Sequence, residues 1–414
     1  MRPLYHGIVM ATLMNVLIPS AVNAQSKTGQ RTAVSAQAGE FAATDKKTGE
    51  LPAEAASTTD GIAGWISGNF TRDIDKARAA YFWVASNLKY DIANMFALNF
   101  HERRADKVVK ALATRKGVCE HYAALFAEIC TKAGLKAFVV EGFTKQNGFV
   151  DYIPHAWCAV RTDGEWHLYD PTWGSGYVAN GKFVKKISNN YFKVAPEKIV
   201  KTHMPFDYLW QCLEYPVTSS EFIEGKMPAR NGKQPFAYKD SIAVFETQQE
   251  MEYYAAAVKR IEQNGLRNSM QFDRLQQLKM ALETDRQNKH VEAQNRKSEI
   301  FNNAASKFNR AIYYFNEFID YRNKQFKPEK PDADIQAMLD AAANKIKETD
   351  SLLASINQPE ASLATMVQDL QQKTPDIGKR INEQQEWLRK YFSKGKAGRK
   401  SMFTKYTWFG IPLN

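Results

Sequence analysis

The chain has 414 residues, of which 44% are hydrophobic and 12% aromatic, enough apolar side chain for two cores and too much for a disordered protein. Its formal charge is +11, yet no zinc-finger spacing, phosphate loop or aromatic RNA-binding string accompanies the basic residues, so no nucleic-acid partner is expected. With only four cysteines, a disulfide-stabilised fold is excluded as the main design.

The first segment reads as a cleavable signal peptide over residues 1–24. Arg2 supplies a charged start, residues 8–19 a short apolar run, and Val22-Asn23-Ala24 the small residues of a cleavage site. The protein is therefore expected to be secreted or periplasmic, with no integral membrane segment after signal removal. Residues 25–60 hold few large apolar side chains and read as a flexible linker. Beyond them, Ile74, Ala77, Tyr81, Val84 and Leu88 recur on one face of a helix, and a second helix is expected around Asp106 to Thr114.

The stretch from Val118 to Lys132 predicts a helix with Cys119, Ala123, Phe126, Ala127 and Cys130 on one stripe, stopped at Gly134. Cys119 then sits in the first turn, where the helix dipole and free backbone N–H groups favour a thiolate. The same N–H groups can stabilise an oxyanion. His121 reads as a partly exposed packing residue. A strand follows from Lys136 to Phe143. Next, residues 155–161 and 166–170 alternate in a strand-like way around Asp163-Gly164, the strong two-residue turn signal. That turn pairs Thr162 with Glu165 and Trp157 with Asp170, which puts His155 diagonal to Asp170 on one face. Trp157, Ala159, Trp166 and Leu168 share that face; Cys158, Val160, His167 and Tyr169 point the other way, so Cys158 reads as a small buried hydrophobe. A further strand is expected near Tyr191 to Val194. Helices first and sheet after is an α+β layout.

A cysteine nucleophile needs an imidazole to hold its thiolate and a third group to orient the imidazole. Cys119, His155 and Asp170 can supply all three. Their strings, Gly117-Val118-Cys119, His155-Ala156-Trp157 and Asp170-Pro171-Thr172-Trp173-Gly174, resemble those of the transglutaminase-like superfamily within the papain-like cysteine enzymes. The resemblance runs over about residues 60 to 225, and the His-Met-Pro at 203–205 and Trp210-Gln211 are similar to strings in kyphoscoliosis-peptidase-type and bacterial members. It implies a transglutaminase-like core with an antiparallel sheet, Cys119 as nucleophile, His155 as general base and acid, and Asp170 as orienting group. Trp157 and Trp173 are candidate pocket walls. No oxyanion-hole side chain is assigned.

The expected domains are 61–228 for the catalytic core, 240–400 for a helical bundle or coiled coil, and 401–414 for a tail. From about Ser241 the composition turns rich in Ala, Gln, Glu, Lys and Asn, and Phe301, Ala304, Phe308, Ile312, Phe315 and Ile319 keep a helical stripe. Pro328, Pro331 and Pro359 punctuate three or four long helices, which offer a surface for a protein partner. The expected function is an extracytoplasmic thiol hydrolase or acyltransferase on peptide or amide bonds, with peptide or protein as substrate. The alternatives are a non-catalytic scaffold and a cell-wall peptide amidase. No EF-hand-type calcium string is present, so neither metal nor cofactor is expected.

Overall fold

The computed structural model describes residues 39–97, 102–227, 230 and 234–403, with only the backbone of 405–406 and 412–413. The signal-peptide reading and most of the tail lie outside these residues. No helix among the described residues is long and apolar enough to cross a membrane. The chain forms two compact units, residues 1–278 and 279–414.

The first unit is α+β. In chain order it holds α1 (Ala42–Thr48), α2 (Thr59–Asn69), α3 (Asp73–Asn87), β1 (Lys89–Tyr90), α4 (Arg104–Thr114), β2 (Lys116–Gly117) and α5 (Cys119–Lys132). Then come β3 (Lys136–Gln146), β4 (Phe149–Thr162), β5 (Glu165–Tyr169), the small hairpin β6 (Gly176–Ala179) and β7 (Lys182–Lys185), and β8 (His203–Pro205). Helices α6 (Tyr238–Phe245) and α7 (Glu250–Asn264) follow. The main sheet is antiparallel, in the order β5-β4-β3-β8.

The hairpin register is the expected one, with Thr162 opposite Glu165 and Cys158 opposite Tyr169. Asp163 (φ 53°) and Gly164 (φ 84°) both take positive φ, as a two-residue turn between twisted strands requires. The two faces separate as the alternation predicts. Trp157, Ala159, Trp166 and Leu168 pack with Val140, Leu209, Trp210 and Ile242, while Cys158, Val160 and Tyr169 pack with α3 and α5.

Helix α5 packs on the Cys158 face, opposite the face that carries His155; Cys158 Sγ donates to the carbonyl of Ala123 at 3.2 Å. Nearly all of α5 is buried, because α2, α3 and α4 cover the sides that the sheet leaves open. Several readings need correction. His121 is buried too: its Nδ1 accepts the Val118 N–H (3.4 Å) at the start of the helix. Residues 39–60 are helical and docked, not a linker. Phe41 is buried beside Phe192 (5.0 Å between rings), and Asp45 makes a bidentate pair with the buried Arg78 (2.6 Å each). Near Tyr191 to Val194 there is a single bridge, Val194 to Leu168, after a short 3-10 turn. The composition change at Ser241 is not a structural boundary. Ile242 joins the core around Trp157, and Ala257, Ile261 and Leu278 pack with Phe143 and Met204.

The second unit is helical. It contains most of α8 (Ser269–Asn323), α9 (Asp332–Ala354) and α10 (Ala361–Phe392). Ala304, Phe308, Phe315, Leu339, Leu353 and Leu388 are among its buried residues, so the periodic stripe is core. The proline-bearing segments around 326–331 and 356–360 separate the helices. Phe403 packs on Phe326, Trp387 and Tyr391, so the tail begins as part of this core.

Candidate active site

Strand β5 ends at Tyr169, opposite Cys158, so β4 loses that neighbour before it reaches His155. At this open place the start of α5 meets the end of the sheet. Gly117 is needed there: a Cβ would lie 2.5 Å from His121 Cβ, so the chain could not turn into the helix with His121 in place. Cys119, one residue past the N-cap Val118, is 4% exposed.

The structure brings Cys119, His155 and Asp170 together. His155 Nε2 lies 2.8 Å from Asp170 Oδ2. That leaves Nδ1 for the thiol, and Cys119 acts on His155 as both a hydrogen-bonding and a charged partner. Burial alone would lower the proton affinity of His155; the charge and hydrogen bond of Asp170, followed by those of Cys119, raise it well above its ordinary value. Burial opposes the charge of Asp170 too, but His155 and His203 hold its carboxyl well below the usual range. The carboxylate is thus ionised, and each facing Nε2 carries a proton.

Trp157 and Trp173 divide. Trp157 is 1% exposed and belongs to the core under the sheet, so it is not a pocket wall. Trp173 is half-buried with its ring 5.5 Å from that of His155, a position from which it can touch a substrate.

Comparison with known proteins matches residues 60–171 to the family model described as the transglutaminase-like superfamily. These residues belong to that superfamily. Human Kyphoscoliosis peptidase is 35% identical over 158 residues, which cover 36% of this chain and 23% of the human protein. Hillarin of Drosophila melanogaster is 26% identical over 203 residues, covering 44% of this chain and 24% of Hillarin. The chain therefore spans about a quarter of the length of these curated relatives. Among solved structures, the periplasmic domain of TgpA from Pseudomonas aeruginosa is 23% identical, with a TM-score of 0.24, over 38% of this chain and 52% of that one.

Two further residues of the transglutaminase-like domain stand at the site and were not assigned from sequence. His203 of β8 is buried, with Nε2 3.2 Å from the same Asp170 Oδ2. Its signal was the His-Met-Pro string, but nothing in one sequence ties it to a carboxylate 33 residues earlier. Tyr90 of β1 is partly buried, and burial together with Cys119 and Asp170 raises its pKa well above the ordinary value, so it remains a neutral donor.

Nε2 of His155, Nε2 of His203 and a carboxylate oxygen of Asp170 lie within 4.8 Å of one another. Both imidazoles point protons at one oxygen, so the group is a hydrogen-bonded cluster, and a cation there would have to displace both protons. A cavity of about 720 Å³ lies beside the part of β3 that β8 does not cover, lined by Phe138, Val139, Glu141, Trp210, Tyr253 and Arg274 among others. None of the three triad residues lines it.

Proposed function

We propose that the transglutaminase-like domain is a thiol enzyme that cleaves or transfers at peptide or amide bonds outside the cytoplasm. The observation that carries this reading is the buried Asp170–His155 pair, which presents the free ring nitrogen to a cysteine in the first turn of a helix. The thiolate of Cys119 attacks the carbonyl carbon and forms the C–S bond. The oxyanion is held by N–H groups at the start of α5. The C–N bond breaks as imidazolium His155 gives its Nδ1 proton to the leaving amine. Water, or a second amine, then passes a proton back to Nδ1 and attacks the thioester, and the thiolate leaves. Hydrolysis is favoured because water is the default acceptor.

The test uses p-nitrophenyl acetate. A burst of p-nitrophenol with an acetyl group on Cys119, absent in Cys119→Ala and slowed in His155→Ala, is the expected result. No adduct on Cys119 at any pH from 6 to 9 sinks the reading. Added methylamine then divides the acetyl group between water and amine, which separates hydrolysis from transamidation. One observation favours a non-catalytic scaffold instead, the 4% exposure of Cys119. Undiminished function of Cys119→Ala in the source organism would select that alternative.

A further inference from the structure

The two oxygens of the buried Asp170 are used differently. Oδ1 accepts the backbone N–H groups of Thr172 (2.8 Å) and Trp173 (3.1 Å), which already fix the orientation of the carboxylate. Oδ2 accepts from two imidazoles, His155 at 2.8 Å and His203 at 3.2 Å. Orienting a catalytic histidine requires only the first of these.

The second has a use during turnover. His155 must alternate between imidazolium and imidazole. Whenever it is neutral, Asp170 holds a buried charge with no counter-charge, and such a charge persists only if well hydrogen-bonded. His203 is fixed as a permanent donor to that oxygen. Its ring is 1% exposed and lies edge-on to Trp157 (5.1 Å) and Trp173 (4.6 Å). Its Nδ1 lies 2.8 Å from Thr202 Oγ1, whose hydroxyl can donate to it and leave the proton of His203 on Nε2.

We propose that His203 is a positioning residue: it keeps the Asp170 carboxylate hydrogen-bonded while His155 is neutral, and so sets how readily His155 gives up its proton. The sign follows from which state loses more. Without His203, the state with neutral His155 leaves Oδ2 with a single uncharged donor, whereas the imidazolium state keeps a charged partner. The proton of His155 is then held more tightly, and its delivery to a leaving amine slows. The groups that act on this cluster are Cys119 of α5, Asp151 of β4, and Tyr81, Tyr90 and Tyr191 around Asp170. Burial keeps the three tyrosines neutral well above pH 7, so the charge balance rests with Asp170, the two imidazoles, Cys119 and Asp151.

The experiment is histidine ring NMR on the full chain carrying ¹⁵N-histidine, from pH 6 to 10, with His155 assigned by its loss in His155→Ala. In His203→Phe the ratio of neutral to charged His155 at a given alkaline pH falls about tenfold, an upward shift on the order of one pH unit. His203→Gln places an amide N–H near Oδ2 and restores most of the ratio. Thr202→Val keeps the ring but frees Nδ1, and moves the ratio the same way by less. An unchanged or increased neutral fraction in folded His203→Phe overturns the proposal. If that variant does not fold, an unchanged ratio in Thr202→Val does so.

The consequence for catalysis rests on the thiol-enzyme reading, but the measurement does not. Failure of Cys119 acetylation with a persistent His155 shift would remove the enzyme and keep the role of His203.

Discussion

Replacing Asp170 with Asn changes one atom and should separate folding from chemistry. The Asn oxygen can still accept the N–H groups of Thr172 and Trp173, 2.8 and 3.1 Å away in the wild type. Its NH₂ then faces the two imidazole Nε2 atoms with donors, so each ring must move its proton to Nδ1. His203 can do so without loss: Nδ1–H donates to Thr202 Oγ1 (2.8 Å), and that hydroxyl donates to the Ile199 carbonyl (3.2 Å). His155 cannot, because its Nδ1–H now points at the thiol it should deprotonate. The four hydrogen bonds survive as neutral ones, each about 1 kcal/mol weaker, and the burial cost of the carboxylate disappears, so the melting temperature moves by only a few degrees. Asp170→Ala instead leaves two N–H groups and two ring nitrogens without partners, at about 1–3 kcal/mol each. The chemical effect is larger. Without its carboxylate His155 loses the charge and hydrogen bond of Asp170 that offset burial, so its proton affinity falls and it holds a thiolate partner less well. Iodoacetamide labelling of Cys119, read by mass spectrometry, then rises more steeply between pH 5 and 8 than in the wild type, where the His155 imidazolium favours the thiolate. The shape of the profile decides, not the absolute rate, because a more basic thiolate is intrinsically more nucleophilic and offsets its scarcity. Acyl transfer should fall about 10⁴-fold, as when a triad histidine is trapped in the wrong tautomer. A folded Asp170→Asn protein with a flat labelling profile would refute the assignment of Asp170.

Other outcomes follow from the same geometry. In the native protein, iodoacetamide modifies Cys119 first, while Cys130, Cys158 and Cys212 react only on unfolding, because burial pushes all three thiols up; peptide mapping after graded urea checks this. The His155–Asp170 pair stabilises the fold between two limits. The His155 contribution is present below about pH 6.5 and is lost as pH rises through its raised folded value, while that of Asp170 is present above about pH 3.9 and is lost as pH falls through its depressed one. Urea midpoints should therefore be highest between about pH 4 and 6.5 and fall on either side, a dome that flattens in a His155→Ala/Asp170→Ala double variant, and an identical profile in both proteins contradicts the linkage. Gly117→Ala forces its new Cβ against His121 and costs about 1–3 kcal/mol, part of which His121→Ala should return; equal urea midpoints for wild type and Gly117→Ala would show that the turn is not constrained.

What the sequence made legible was what a short span determines. The helix at Cys119 and the hairpin at Asp163-Gly164 are local, and the period-2 alternation from that turn placed His155 and Asp170 on one face before any fold was known. His203 was invisible as a partner because β8 has three residues, too few for a pattern, and pairs with β3 across 59 to 63 positions of chain. The side of the hairpin that α5 covers was out of reach for a similar reason. Alternation says which residues share a face, but not which face a helix elsewhere in the chain will cover. Cys158, bonded to Ala123 of that helix, marks the covered face only once the helix is in place.

The edges of the domain were misread for an energetic reason. Residues 39–60 carry little apolar surface, so composition predicts a chain that cannot offset its own ordering entropy. The offset comes from a distant helix. Arg78 of α3 is buried, with its guanidinium 5.2 Å from the Phe41 ring and 4.9 Å from the Phe192 ring, and needs an anion to be buried at all. Asp45 supplies it through two short hydrogen bonds. An arginine in an otherwise apolar stripe of a predicted helix thus implies a carboxylate from some other segment, and the polar stretch just before the domain was the nearest source. The same reasoning explains why the domain runs past the composition change at Ser241. Before residue 228 the sheet face that carries Trp157 is covered by short helical turns carrying Ile199, Leu209 and Trp210, and α6 adds Ile242 to that face despite the polar sequence around it.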